Sequence, residues 1–369
     1  MHKILLDRGP IRAEVHSEAP EAVLQQLEQT AYGTEGLAYV HGNVREKANL
    51  LPDPYFITLK KRDQLLATVA LSHRDGGVKG QPYRSYYIRY FSFMDALRRP
   101  NQHQPDRKPM RAGNRLLRPL LWSLFERTDP ANPEALAQPT LYYAYVEAEN
   151  QRSYEMCQTF GFKPLRTMTT IPFSRAYPKA NPAVRLLTPE EQPAMRQRLE
   201  AYYQDYSFVS FDTCFAGQHY YVWEENGKVV AGVQAYPITW KFKALPGVSG
   251  WVSMKIVPRL PVLGRLFNPK RYRFAAIEGL WHAPGREDLI LPLLESALAH
   301  ESLTVAMLFV DKHGPQYELI KGYQKDLGLM YKLNGEVDSE VIGRFAHAGP
   351  HDVSTFEHTP VYVSAFDCT

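Results

Sequence analysis

A chain of 369 residues is longer than one ordinary hydrophobic core, so two domains are expected. Its 44% hydrophobic and 22% charged residues exclude a disordered chain. A formal net charge of only +4 favours anionic ligands mildly and gives no reason to expect a nucleic-acid partner.

Cys157, Cys214 and Cys368 are scattered without a CxxC pair, which fits a reducing compartment and argues against a disulfide framework or a zinc ribbon. The start, MHKILLDRGPIRAEV, lacks the long apolar run and small-residue cleavage site of a signal peptide. No stretch is uninterruptedly apolar for the roughly 18 residues a membrane span needs. A soluble, cytoplasmic protein is expected. His347 and His351 are four apart, but Ala348, Gly349 and Pro350 between them prevent a helix from aligning both, and no metal site is expected.

In chain order, PEAVLQQLEQTA (20–31) has helical spacing, and PYFITLKKRDQLLATVALSH (54–73) reads as two strands turning at Lys61 to Asp63. YRSYYIRYFSF (83–93) is a long aromatic strand. NRLLRPLLWSLFER (114–127) places Leu116, Leu117, Leu120, Leu121, Leu124 and Phe125 on one helical face. Strand TLYYAYVEA (140–148), helix NQRSYEMCQTF (150–160) and strand KPLRTMTTIPF (163–173) follow. SRAYPKANPAV (174–184) is Pro-rich and polar, the best linker.

Beyond it the order recurs. TPEEQPAMRQRLEAYYQDY (188–206) is helical, HYYVWEENGKVVAGVQAYP (219–237) is a hairpin around Asn226-Gly227, and YRFAAIEGLWH (272–282) is a long strand. Helix REDLILPLLESALAH (286–300), strand LTVAMLFVD, a helix near QYELIKGYQ and strand LGLMYKL come next, and PVYVSAF (360–366) reads as a last strand. The shared order of elements predicts two copies of one α/β (α+β) unit: residues 1–175, a linker at 176–184, and residues 185–369.

RKPMRAGNRLL (107–117) joins the long strand to the amphipathic helix. A helix-opening turn of this kind aims backbone N–H groups and the positive end of the helix dipole at an anion. Gly113 permits close backbone approach, and Lys108, Arg111 and Arg115 add charge beside Arg98, Arg99 and Arg107. Pro119 opposes this: inside a helix it costs about 3 kcal/mol, and as a helix start it leaves Gly113 outside the turn.

Taken with VEAENQRSYEMCQTFGF (146–162), this turn resembles the GCN5-related N-acetyltransferases (GNATs). The family's phosphate turn reads Q/R-x-x-G-x-G/A; here Lys108 takes the first position, Arg111 replaces the first glycine, and Gly113 keeps the last. The family's second motif is an Asn, a short helix and Gly-Phe. Asn150 and Gly161-Phe162 match it, with Ser153 at the small-residue position.

The resemblance covers residues 50 to 173 by motif and the second half only by element order. It implies, for each unit, a central mixed, mostly antiparallel sheet flanked by helices. It further implies acetyl-CoA as co-substrate, no metal, and transfer of an acetyl group to an amine-bearing acceptor by direct attack on the thioester. Coenzyme contacts are implied at Ser92, Phe93 and Met94 on the fourth strand, at Lys108, Arg111, Ala112, Gly113, Asn114 and Arg115 in the turn, and at Asn150 and Ser153.

In many members a tyrosine seven residues after the Asn protonates the departing thiolate; here that position is Cys157. Either Cys157 or Tyr154, one turn earlier, serves as the acid, or Cys157 is a small buried hydrophobe. Glu147 is the best-placed general base, with Asp95 a further candidate. In the second half HAPGRED (282–288) lacks the paired small residues, and Glu287 and Asp288 would repel a pyrophosphate, so this unit is expected to wall the substrate cleft without binding coenzyme. GWVSMKIVPRLPVLGRLFNPKRYR (250–273) mixes apolar and basic residues and suits an acidic or membrane-surface partner. The alternative to an enzyme is a non-catalytic protein of this fold, a coenzyme A sensor or an interaction scaffold. The acceptor and the acyl group stay open.

Overall fold

The computed structural model describes residues 1–33, 36–78, 81–93 and 111–369. The strands are β1 (His2–Arg8), β2 (Ile11–His16), β3 (Ala38–His41), β4 (Pro54–Lys61), β5 (Gln64–Val78), β6 (Gln81–Phe93), β7 (Thr140–Glu147), β8 (Lys163–Ser174), β9 (Val184–Leu186), β10 (Tyr220–Glu225), β11 (Lys228–Ala244), β12 (Tyr272–His282), β13 (Val305–Asp311) and β14 (Val337–Ala346). The helices are α1 (Glu21–Gln29), α2 (Val44–Asn49), α3 (Arg111–Leu124), α4 (Gln151–Thr159), α5 (Gln192–Tyr202), α6 (Gly247–Lys255), α7 (Leu263–Leu266), α8 (Ile290–His300), α9 (Pro315–Lys321), α10 (Leu329–Asn334), α11 (Pro350–His358) and α12 (Ala365–Cys368).

Local turn chemistry sets the hairpins. Asn226 and Gly227 both have positive φ, 50° and 73°, the handedness that matches strand twist between β10 and β11. The strands join into one sheet, in the order β1-β2-β4-β5-β6-β7-β14-β8-β13-β12-β11-β10-β9, with β3 added against β11. Neighbours are antiparallel except β6 with β7 and β12 with β13.

Its middle is a reciprocal exchange. β14, the last strand of the second half, pairs with β7 of the first; β8, the last strand of the first half, pairs with β13 of the second; and β14 and β8 pair with each other. Gly343 makes the fit: a Cβ there would lie 2.5 Å from Leu165 Cδ1 and 2.9 Å from Leu141 Cδ1. Val341 and Ile342 are buried beside it. Arg166 of β8 forks onto Asp311 of β13 at 2.9 and 3.0 Å, an ion pair that fastens one half to the other.

Two expected strands are absent. LGLMYKL forms helix α10, bracketed by Gly328 (φ 98°) and Gly335 (φ 64°); a short apolar run does not distinguish strand from buried helix. PVYVSAF makes one bridge, Val361 to Ser207, and then enters α12; it is apolar because it is buried, and pairs with no sheet. Helix α3 runs through Pro119 and includes Gly113, so the proline is not the helix start.

Because the exchanged strands are shared, the chain should unfold as one unit. Ile342→Ala is expected to lower stability by about 2–5 kcal/mol and to move a single calorimetric transition. Two transitions, with only one displaced, would contradict a shared core.

Candidate active site

β6 and β7 run parallel and are bonded only where Arg84 to Tyr87 face Thr140 to Tyr143. Beyond that they fork. β6 continues to Phe93 against β5 on its far side, and β7 continues to Glu147 against β14 on its far side. Tyr90, at φ 54°, sits in a bulge where β6 steps out of register with β5. Among the described residues no strand pairs with the fork-facing edge of β6 beyond Tyr87. Such an edge offers alternating N–H and C=O groups to an extended amide-bearing chain.

Glu147 closes β7 at this fork. It is half-buried, and burial, then the nearby Glu149 carboxylate, raises its carboxyl above the usual range. Helix α4 starts just beyond. Asn150 caps it, its Oδ1 accepting the Ser153 N–H at 3.1 Å. At the other end the Gly161 N–H donates to Gln158 O at 2.9 Å and the Phe162 N–H to Cys157 O at 3.1 Å, a Schellman stop that needs the left-handed φ of 79° at Gly161. Phe162 then packs edge-on to Phe125 of the helix α3 layer, ring centroids 5.2 Å apart. The Asn-to-Gly-Phe spacing is thus a helix fixed at both ends beside the fork.

Tyr154 and Cys157 are half-buried and pack against the hydrophobic cluster of the first half, which includes Tyr86, Tyr142 and Phe162. Burial pushes the Cys157 thiol up to about 11, so it holds its proton at neutral pH. Of the expected phosphate turn, Lys108 lies outside the described residues, as do Met94 and Asp95. Arg111, Ala112, Gly113, Asn114 and Arg115 form the first turns of α3, and Ser92 and Phe93 end β6. The side chains of these seven are outside the described ones.

The second half repeats the fork and fills it. β12 and β13 are bonded only at Ala275 to Ile277 with Ala306 to Leu308. Gly279, at φ 59°, lies in the matching bulge. Here the chain itself bridges the arms: the Val361 N–H donates to Asp311 Oδ2 at 2.8 Å, and Tyr362 Oη donates to Glu278 Oε1 at 3.2 Å. Tyr220 and Tyr203 hydroxyls take the carbonyls of Gly279 (2.8 Å) and Leu280 (2.7 Å). A Cβ at Gly279 would sit 2.3 Å from Cys214 Sγ.

Residues 366–369 then run between the two halves. The Phe366 N–H donates to Glu278 Oε2 at 3.1 Å, while its carbonyl accepts from Lys47 Nζ at 2.6 Å and Arg89 Nη1 at 2.5 Å. Lys47 and Arg89 also reach the Thr369 backbone oxygen. Arg74 donates to Asp367 Oδ1 at 2.6 Å, and Tyr87 Oη to Asp367 O at 2.9 Å. Arg89 and Glu278 each immediately precede the bulge of their own strand, so the two peptide groups flanking the Phe366 Cα are held from equivalent positions by a basic and an acidic side chain.

Nearby, β3 carries His41 and Tyr39 against Trp240 of β11, with the Tyr39 and Trp240 rings stacked at 4.5 Å and Tyr32 edge-on to His41 at 4.5 Å. Burial, then Arg89 and Lys47, pulls His41 down to about 3, leaving a neutral imidazole. Tyr39 feels the Glu147 carboxylate, which adds to burial in raising its phenol. No motif announces these residues. The one signal was charge inside an aromatic strand, Arg84 and Arg89 in YRSYYIRYFSF.

The sequence matches no protein-family model and no curated protein. Among solved structures, Saccharomyces cerevisiae N-myristoyltransferase with bound myristoyl-CoA aligns over 98% of this chain and 91% of that one at 12% identity, with a TM-score of 0.57. The same enzyme with bound myristoyl-CoA and inhibitors aligns over 98% and 88% at 13% identity, with a TM-score of 0.56. A GCN5-related N-acetyltransferase from Sphaerobacter thermophilus aligns over 93% and 98% at 11% identity, with a TM-score of 0.47. At such identities the likeness is one of fold. The chain has the GNAT fold, and nearly its whole length takes part.

Burial raises the Glu278 carboxyl from the ordinary 4.5 to about 7, against the lowering effect of the Phe366 amide and Arg74. The folded protein therefore keeps a proton there that the unfolded chain gives up, so this group's contribution is full below about pH 4.5 and lost as pH rises to about 7. Glu278→Gln, nearly isosteric, should flatten the fall in melting temperature between those limits relative to wild type. Parallel melting curves for the two proteins across that range would refute the raised carboxyl.

Proposed function

We propose that this protein is an acyl-CoA-dependent N-acyltransferase with one coenzyme site per chain, in the first half. The observation that carries this reading is the contrast between the forks: β6 and β7 diverge without a bridging segment among the described residues, while β12 and β13 are bridged by residues 361 and 362. In this reading the amides of the pantetheine arm add to the edge of β6, around Ser92, Phe93 and Met94. The pyrophosphate sits at the start of α3 among Lys108, Arg111, Ala112, Gly113, Asn114 and Arg115, where helix N–H groups and the dipole favour an anion. With Asn150 Oδ1 held by the Ser153 N–H, Asn150 offers the coenzyme its Nδ2 donors.

The acceptor amine enters from the side of Tyr39 and His41. Glu147 takes the proton of the attacking nitrogen, its raised pKa bringing it nearer the working pH of a general base. The new N–C bond forms as the C–S bond breaks, and Cys157 or Tyr154 gives the departing thiolate its proton. An acetyl donor is the simplest, and the myristoyl-CoA bound by the yeast neighbour makes longer acyl chains part of the same test. An anionic partner outside the cleft is kept for residues 250–273.

Calorimetric titration with acetyl-CoA, and with a long-chain acyl-CoA, should find one site per chain. Gly113→Glu, which puts a carboxylate in the first turn of α3, should weaken it by roughly tenfold or more, about 1.4 kcal/mol, in a chain whose circular dichroism is unchanged. Two sites would overturn the assignment of the second half. Absence of binding would overturn the transferase, and binding without turnover on an amine panel would make the protein a sensor.

A further inference from the structure

Residues 241–273 hold eight of the chain's 43 Lys and Arg and none of its 39 Asp and Glu. Without this segment the chain's net charge of +4 would be −4, so the basic character of the protein is local. The segment is the tail of β11, α6, α7 and the start of β12. Lys241, Lys243, Lys255, Arg259 and Arg271 are exposed, and among the described residues none of the eight forms an ion pair.

The same segment shows its apolar side chains to solvent. Of the fifteen large hydrophobic residues left exposed among the described residues, five lie within 248–262: Val248 (82%), Trp251 (58%), Ile256 (39%), Leu260 (41%) and Val262 (43%). They stand on a folded element. A Cβ at Gly250 would lie 2.4 Å from Leu245 O and one at Gly264 2.6 Å from Pro258 O, so backbone closes tightly on backbone at both ends of the patch.

Beside the patch is a cavity of about 270 Å³ lined by Arg265, Arg271, Arg273, Ser302 and Thr304. Arg265 is held in place: its Nε donates to Ala176 O at 2.9 Å, its guanidinium lies 4.6 Å over the Tyr177 ring, and its carbonyl accepts the Thr304 hydroxyl at 2.7 Å. Three guanidinium groups and the Ser302 hydroxyl suit a phosphate oxyanion.

We propose that this face docks on an anionic lipid bilayer surface, with Trp251 and its apolar neighbours entering the headgroup boundary and the arginine-lined cavity receiving a lipid phosphate. Exposed Trp among aliphatic side chains, ringed by uncompensated cations, is the composition of an interfacial anchor. A nucleic acid would use the cations and leave five hydrophobic side chains in water; an acidic protein would be met by the same charge without needing the lipid-phosphate cavity. The anchor lies on the surface: among the described residues no helix is long and apolar enough to cross a membrane. This inference does not depend on the transferase reading.

The test is co-sedimentation of the full chain with phosphatidylcholine vesicles, with and without phosphatidylserine. Two variants change only exposed side chains, Trp251→Ala and the pair Lys255→Glu with Arg259→Glu, and melting curves confirm their fold. Binding is expected to be at least about tenfold stronger to the anionic vesicles, to weaken with salt, and to drop by about tenfold or more in each variant. Equal binding to both vesicle types, no binding to either, or unchanged binding by the charge-reversed pair would each overturn the proposal. Binding to a polyanion such as heparin with none to vesicles would also overturn it, and would assign the patch to an acidic macromolecule.

Discussion

The structure depends on one constraint: each half lacks the strand its own sheet requires and takes it from the other. β7 has β14 as its neighbour, β13 has β8, and the two donated strands pair at the centre. Neither half can bury the faces of β7 or β13 alone, because a parallel neighbour that forks away after three or four residues leaves the far edge as the main source of pairing. The exchange supplies that edge. It also fixes how the halves sit, since sliding β14 by one residue would turn Val341 outward and bring a side chain to the place where only Gly343 fits.

Once the centre is a shared sheet, the two forks follow, one in each half. Their bulges match, at Tyr90 and at Gly279, and what fills them does not. In the second, tyrosine hydroxyls and residues 361–362 satisfy the backbone and both arms, and Cys214 lies so close to Gly279 that no side chain fits there. A polar backbone already bonded and packed has nothing to offer a ligand. The first fork keeps an edge of β6 without a strand neighbour among the described residues, beside a helix whose two ends are locked by Asn150 and Gly161.

Local chemistry was legible in the chain, and long-range chemistry was not. The Asn226-Gly227 turn, the Asn150 cap and the Gly161-Phe162 stop each act within a few residues, so spacing alone finds them. β14 is not legible because Asp338, Ser339, Glu340 and Arg344 break its apolar pattern; its partners β7 and β8 lie far earlier in the chain, and Arg344 Nη1 donates to Phe160 O at 2.7 Å. The β1–β2 hairpin has only Gly9 (φ 58°) to mark its turn, and the charges of Lys3, Asp7, Arg8, Arg12 and Glu14 interrupt its apolar pattern. Asp311, Glu278 and His41 carry no motif. Their neighbours come from both halves, and only the assembled sheet brings them together.

The junction of the halves is also where charge is buried. Lys47, Arg74 and Arg89 face Asp367, Glu278 and the backbone oxygens of Phe366 and Thr369 with almost no exposure. Taking such groups from water costs several kcal/mol each, and pairing commonly does no more than offset that. The cluster is therefore a poor account of stability and a good account of register. The Phe366 N–H goes to Glu278, and its carbonyl, in the next peptide group, goes to Lys47 and Arg89, so the backbone is fixed on both sides of its Cα and a segment with no strand partner of its own is still held to a single path between the halves. That path carries residues 361 and 362 across the second fork and then brings residues 366 to 369 onto Tyr87 and Arg89 of β6. The same buried groups that specify the route of residues 366 to 369 thereby tie the filling of the second fork to an arm of the first, whose β6 edge keeps no strand neighbour among the described residues.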